Sequence, residues 1–294
     1  MTEGRTAALG ALVLGACAIG FAPIFVRLTE TGPAAAGFWR LALALPMLAP
    51  FAFRRIEGRA AALPDRIILL AGVFFALDLA FWHYGIALTS VTNATVLANL
   101  APIVVTAAGW WLFRERPERA FLVGLALALA GVAVMTLGAG AAAPGRNPPL
   151  GDALSGATAI WYAAYFLAVR RARGGHGTAS IMFWSSLTGV ALLGIAMVAL
   201  GEDVLPDTAA GWGACLGLAL VHVTGQGAIA WALGRLPAAT ASLVVLVQPA
   251  AAALLGWLIF AEVITGPQAV GALGALAGVA IAQWASARAA QRAQ

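Results

Sequence analysis

Apolar residues run through this chain in long unbroken stretches, without the strict apolar/polar alternation of a membrane β-strand. Ten such stretches of roughly 20 residues stand at 7–27, 34–53, 66–88, 92–113, 119–139, 151–170, 179–200, 209–233, 238–260 and 267–287. Each is long enough for a helix to cross the hydrocarbon core of a bilayer, about 30 Å thick. The pattern predicts an all-α integral membrane protein with ten transmembrane helices. The first stretch is too long for a cleaved leader and nine more follow it, so it reads as a retained helix.

One phrase occurs twice. "NLAPIVVTAAGWWLFRE" at 99–115 is echoed by "LVQPAAAALLGWLIFAE" at 246–262. Pro102 pairs with Pro249, Gly109 with Gly256, Trp110 with Trp257 and Glu115 with Glu262, each pair 147 positions apart in a chain of 294 residues. Gly124 and Gly131 pair with Gly271 and Gly278 at the same offset. The chain is therefore two halves of five helices each: a first repeat over 1–143, a Gly/Pro-rich linker at 144–150, and a second repeat over 151–294. Five is odd, so the second half must enter the membrane from the opposite side. Two inverted five-helix repeats allow a central site to be exposed to one side and then the other.

Composition sharpens this picture. The chain is 62% hydrophobic and 10% charged, against about 25% charged residues in a soluble domain. The net charge of +5 is carried on arginine alone, seventeen of them and no lysine. Arg5, Arg54, Arg55, Arg59, Arg66, Arg114, Arg116, Arg119, Arg170, Arg171, Arg173, Arg235, Arg288 and Arg292 fall on one side of the predicted membrane, Arg27 and Arg146 on the other. The positive-inside rule then puts both termini in the cytoplasm of an inner-membrane protein. The basic excess reports orientation, and nucleic acid is not implied. Cys17 and Cys215 both lie inside apolar stretches, where small core residues are expected rather than a disulfide.

Ten helices in two halves, with Pro…Gly-Trp…Glu closing the fourth helix of each, resemble the drug/metabolite transporter superfamily of EamA type. "FWRLALALP" at 38–46 is similar to that family's second-helix pattern. "DLAFWHYG" at 78–85 and "IWYAAYF" at 160–166 resemble the aromatic amino-acid exporters of the superfamily. The resemblance implies a metabolite exporter of the inner membrane.

Polar residues within membrane helices are costly, and each is a candidate for the site. Thr92, Thr95, Asn99, Pro102 and Thr106 form one stripe on the fourth helix. They line a cavity or glue helices together. Pro102 and Pro249 are expected hinges, because proline leaves a carbonyl without its helical donor. Gln248 is expected to approach the same region as Asn99. On the third helix Asp78 and Trp82 share a face, while His83 is turned about 140° from Asp78. Asp78 lies about 18 Å from the cytoplasmic surface and Arg40 about 10 Å from the outer one, so the two depths nearly coincide and an Arg40–Asp78 ion pair is expected. Trp161 and Tyr165 share a face too deep for an interfacial belt and suit stacking on a flat ligand. His222 and Gln226, four residues apart, form a polar pair in which His222 is the candidate proton sensor, with bonding to a neighbouring helix as the alternative.

These residues favour a zwitterionic or neutral substrate with an apolar or aromatic side chain. Asn99, Gln248 and His222 would hold its polar groups, and Trp82, Trp161 and Tyr165 its side chain. No lysine and one deep arginine speak against phosphorylated substrates. Broad drug efflux and a non-transporting membrane subunit are the alternatives. No metal-ligand spacing, nucleophile motif or nucleotide-binding loop is present, so no catalytic residue, metal or cofactor is expected. The expected partners are a small molecule such as an amino acid and the lipid bilayer, with proton coupling open and a monomer favoured.

Overall fold

The structure is a computed structural model. It describes residues 2–54, 63–89, 94, 97–114, 116–138, 146–260 and 263–292. Every regular element among them is helical: α1 (Thr2–Ile19), α2 (Ala22–Leu28), α3 (Pro33–Ala42), α4 (Ala44–Ala52), α5 (Arg66–Leu88), α6 (Ala101–Phe113), α7 (Arg119–Leu137), α8 (Pro148–Ala172), α9 (Thr178–Ala199) and α10 (Ala209–Val221). A π-helical turn at His222–Gln226 follows, then α11 (Gly227–Leu233), α12 (Ala238–Val244), α13 (Val247–Phe260) and α14 (Gly266–Arg292).

Eight spans among the described residues are long and apolar enough to cross a bilayer, several of them built from two helical pieces. The fourth expected span contributes the shorter apolar helix Ala101–Leu112. The sixth corresponds to α8, which is 25 residues long and richer in Ser, Thr and Tyr. Helices suit this environment because each satisfies its own backbone polar groups. Their ends are set by local chemistry. Asp65 accepts from the Ile68 N–H at 3.0 Å and Thr208 from the Gly211 N–H at 3.1 Å. Asn147 caps α8 and Pro148 opens it, so the second half begins slightly earlier than the linker at 144–150 suggests. Both cysteines are free.

The two halves meet along α7 and α14. A Cβ added at Gly124 would lie 2.7 Å from the Gly278 carbonyl oxygen, and one at Gly278 would lie 2.5 Å from the Gly124 oxygen. Gly131 and Gly271 face each other in the same way, at 2.6 Å in each direction. Backbones this close leave no room for a side chain. The 147-residue offset carries the Gly124–Gly278 contact onto Gly271–Gly131, so the interface maps onto itself. The register is antiparallel, as an inverted repeat requires. A second self-matching contact lies nearer the middle. Phe75 of α5 and His222 of the π turn are also 147 positions apart, and their rings stack at 5.3 Å. The pseudo-two-fold axis passes between them.

Apolar side chains turned away from this core cover the outside. Trp111, Ile195, Val198, Val270 and Leu273 are all well exposed, as lipid-facing residues should be.

Candidate functional site

Irregular backbone is tolerated at membrane depth only where protein or a cavity surrounds it. Here it recurs at related places. The fourth helix of the first half is interrupted by a turn at Asn99–Leu100 and that of the second half by a turn at Val245–Leu246. Both turns tighten to three-residue hydrogen bonds, Leu100 N–H to the Leu97 carbonyl and Leu246 N–H to the Leu243 carbonyl. Pro102 and Pro249 therefore sit in the first turn of a new helix, where a missing N–H costs nothing, rather than kinking a continuous one. The eighth span widens at His222–Gln226, where the Gly227 N–H reaches back to the His222 carbonyl. Such π turns frequently mark functional sites.

A buried polar cluster surrounds the axis. Arg40 of α3 is 3% exposed and lies over the Phe75 ring at 5.7 Å from its centroid. Phe75 packs on Tyr165 at 4.7 Å and stacks on His222. Tyr162 stacks on Tyr165 at 6.3 Å, and Gln226 lies beside both tyrosine hydroxyls. His222 Nε2 bonds Ser186 Oγ at 2.9 Å. Asp78, one turn beyond Phe75 on α5, is buried and within electrostatic range of Arg40, Tyr162 and Tyr165. Several polar atoms here have no hydrogen-bond partner among the described residues: Arg40 Nε, His222 Nδ1, Gln226 Nε2 and, on the neighbouring turn, His83 Nε2.

The sequence-derived candidates divide into groups. Asp78, Tyr165, His222 and Gln226 come together in this cluster. Arg40 joins them, but the expected Arg40–Asp78 contact pair does not form among the described residues. The guanidinium is turned onto the face of Phe75, and the two charges act on each other across a gap. Trp161 leaves the group: it stacks on Phe74 at 6.3 Å and meets Phe81 edge-on at 5.9 Å, in the α5–α8 contact. The reason is angular. Phe74 and Phe75 are adjacent on α5 and point about 100° apart, so Trp161, which meets Phe74, is turned from the Phe75 ring. Trp82 is half-buried beside His83, and His83 Nδ1 donates to the Pro33 carbonyl at 2.7 Å. Asn99 stands in the first helix break and Gln248 follows the second, its amide nitrogen buried and without a bond to any described residue. Thr92, Thr95, Glu115 and Glu262 lie outside the described residues. Residue patterns alone missed Tyr162, Phe75 and Ser186. The offset of 147 from His222 was the one signal that pointed to Phe75.

The two ends of the bundle differ. At the arginine-rich ends a cavity of about 350 Å³ is lined by Leu48, Phe51, Arg54, Thr178, Met182 and Trp231. Met182 separates it from the cluster, its sulfur accepting from the Tyr165 hydroxyl at 3.8 Å. At the opposite end the Glu202 carboxylate accepts from the Ala34 N–H at 3.2 Å, the Ala35 N–H at 2.9 Å and the Tyr84 hydroxyl. Around it, Gly32 N–H bonds the Asp203 carbonyl at 3.0 Å and Trp39 Nε1 bonds the Val204 carbonyl at 2.7 Å. Glu30 reciprocates by accepting from the Thr208 N–H at 3.0 Å. These bonds tie the segments of this end together. Among the described residues no three His, Cys, Asp or Glu gather as metal ligands would.

Known proteins agree with this architecture. The chain is 29% identical over 274 residues to an uncharacterized transporter of Archaeoglobus fulgidus, covering 92% of this chain and 94% of that one. A solved crystal structure superposes with a TM-score of 0.80 at 17% identity, over 97% of this chain and 99% of that one, and so shares the fold. The model of the EamA-like transporter family matches residues 6–137 and again 149–283, one match for each half. With two matches that together span nearly its whole length, and the inverted glycine interface that joins them, this chain belongs to the EamA-like transporter family.

Proposed function

We propose that this protein exports small amphipathic metabolites, amino acids above all and aromatic ones in particular, by alternating access around the cluster of Arg40, Asp78, Tyr165 and His222. The observation that carries the reading is the set of buried polar atoms in that cluster with no partner among the described residues. Buried polar groups are nearly always hydrogen-bonded, and in a membrane they are expensive. A polar ligand that fills them accounts for their presence. Tyr162, Tyr165 and Phe75 supply flat faces for its side chain. The cavity at one end and the Glu202 clamp at the other correspond to a state open toward the arginine-rich side, which we assign to the cytoplasm of an inner membrane. No nucleotide-binding loop occurs in the sequence, which argues against direct use of ATP by this chain and for coupling to a gradient or a partner.

The test is uptake into liposomes holding the purified protein, with labelled tryptophan, threonine and a lipophilic cation, with and without a pH gradient. Selective amino-acid flux supports the reading. Efflux of lipophilic cations is the second reading, favoured by the Asp78 carboxylate, which stands near aromatic rings with no ion-pair contact among the described residues. Flux of the cation alone would establish it instead.

A further inference from the structure

The polar capacity of the cluster is unevenly distributed. Arg40 can only donate hydrogen bonds, and no acceptor among the described residues is bonded to its Nε. Gln226 Nε2 also donates only, and no described residue accepts from it in good hydrogen-bond geometry. The hydroxyls of Tyr162 and Tyr165 stand beside Gln226, and among the described residues that of Tyr165 donates to the weak acceptor Met182 Sδ. The cluster therefore holds a surplus of donors together with a full positive charge. Asp78 is the opposite. It is the acidic group acting on Arg40, it is buried, and it accepts no hydrogen bond from a described residue. Arg40 lies over one face of Phe75 and Asp78 follows one turn later on the same helix.

A buried charge left unpaired is strongly destabilising, and two opposite charges held apart forgo the attraction that would offset their burial. A ligand that bridges them restores it. We infer that Arg40 and Asp78 are the two poles of a zwitterion receptor: Arg40, helped by Gln226, binds the substrate carboxylate, and Asp78 binds its ammonium. The inference rests on the transport reading above and adds the chemistry of recognition. Arg40 and Asp78 sum to zero charge, so a zwitterion enters without adding net charge to the membrane interior. An amine lacking a carboxylate meets Arg40 unpaired, and an acid lacking an ammonium leaves Asp78 unpaired. Planar guanidinium donors also match a carboxylate in a two-pronged geometry that lysine cannot offer. Selectivity then comes from what would be left unsatisfied, which discriminates more sharply than apolar fit.

The experiment compares tryptophan with tryptamine and 3-indolepropionate, and leucine with isoamylamine and 4-methylvalerate. Binding to purified protein is read by thermal shift and flux by liposome uptake. Wild type is expected to bind each amino acid at least tenfold tighter than either of its analogues. Arg40→Gln should raise the KM for the amino acids at least tenfold and leave the amines unchanged or improved. Asp78→Asn should do the converse, sparing the acids. Arg40→Lys should restore part of the preference. Wild type that takes the amines as readily as the amino acids overturns the inference and leaves transport standing. Arg40→Gln that weakens amino acids and amines in parallel also overturns it, since a structural arginine would act that way. Wild type that neither binds nor moves any of the six overturns the inference and the amino-acid reading together.

Discussion

Replacing Glu202 by glutamine should loosen the closed end of the molecule. The carboxylate takes two of the N–H groups that the first turn of α3 cannot bond internally, those of Ala34 and Ala35, and the Tyr84 hydroxyl as a third donor. It thus ties the segment after α9 to both α3 and α5. Hydrogen bonds to a charged group contribute about 1.5–3 kcal/mol each, against about 0.5–1.5 for neutral ones. Glutamine keeps one oxygen but turns an NH2 toward one of the backbone donors. One bond is lost, two weaken, and about 0.3–1 kcal/mol of interaction with the positive end of α3 goes as well. Because Glu202 is only half-buried, the net cost to the closed state is about 2 kcal/mol, roughly a thirtyfold shift toward opening. Spin labels on Ala87→Cys and Ala210→Cys, both exposed at this end, would report it as a longer-distance population by double electron–electron resonance. Tyr84→Phe, which removes one donor only, should shift it less. An identical distance distribution in wild type, Glu202→Gln and Glu202→Ala would refute the assignment of this contact as a closure.

Further perturbations follow from the same geometry. Gly131→Val drives a side chain into the Gly271 backbone of α14 and should lower the thermal midpoint by the equivalent of about 1–3 kcal/mol, whereas Gly213→Ala, with open space around it, should leave it unchanged or raise it; equal midpoints would refute the close interface. His222→Gln should flatten the dependence of flux on pH between about 5 and 8, and an unchanged profile would exclude His222 as the proton sensor. Pro102→Ala restores an N–H next to the Asn99–Leu100 turn and favours a continuous helix. It should slow flux severalfold without changing the thermal midpoint, with hydrogen exchange at 97–103 slowed in parallel. Unaltered exchange would show that the break owes nothing to the proline.

The tryptophans of the repeated phrase stand outside the buried cluster. Trp110 and Trp257 are about half exposed on the outer surface. What the repeat marks is symmetry, and symmetry located the axis at Phe75 and His222. Members of the buried cluster were legible where a polar type stood deep in an apolar stretch, as with Arg40, Asp78, His222 and Gln226. Tyr162 was hidden beside Trp161, because adjacent residues on a helix point about 100° apart and nothing local says which one meets the neighbouring helix. The clamp at Glu202 was hidden for a different reason. Its partners are more than a hundred residues away in sequence.

By itself the sequence determined the environment, the helical class, the two halves and their opposed orientation. Each follows from composition, from period or from an odd number of crossings, and none depends on how helices meet. The tertiary structure alone decided that Arg40 rests on Phe75 instead of pairing with Asp78, that Trp161 packs away from the cluster, and that one end is stitched while the other holds a cavity. Those outcomes turn on rotations of tens of degrees about helix axes and on distances of a few ångström. Within an apolar membrane helix every face is nearly as apolar as the next, so the pattern of residues along the chain leaves such rotations open until the helices pack.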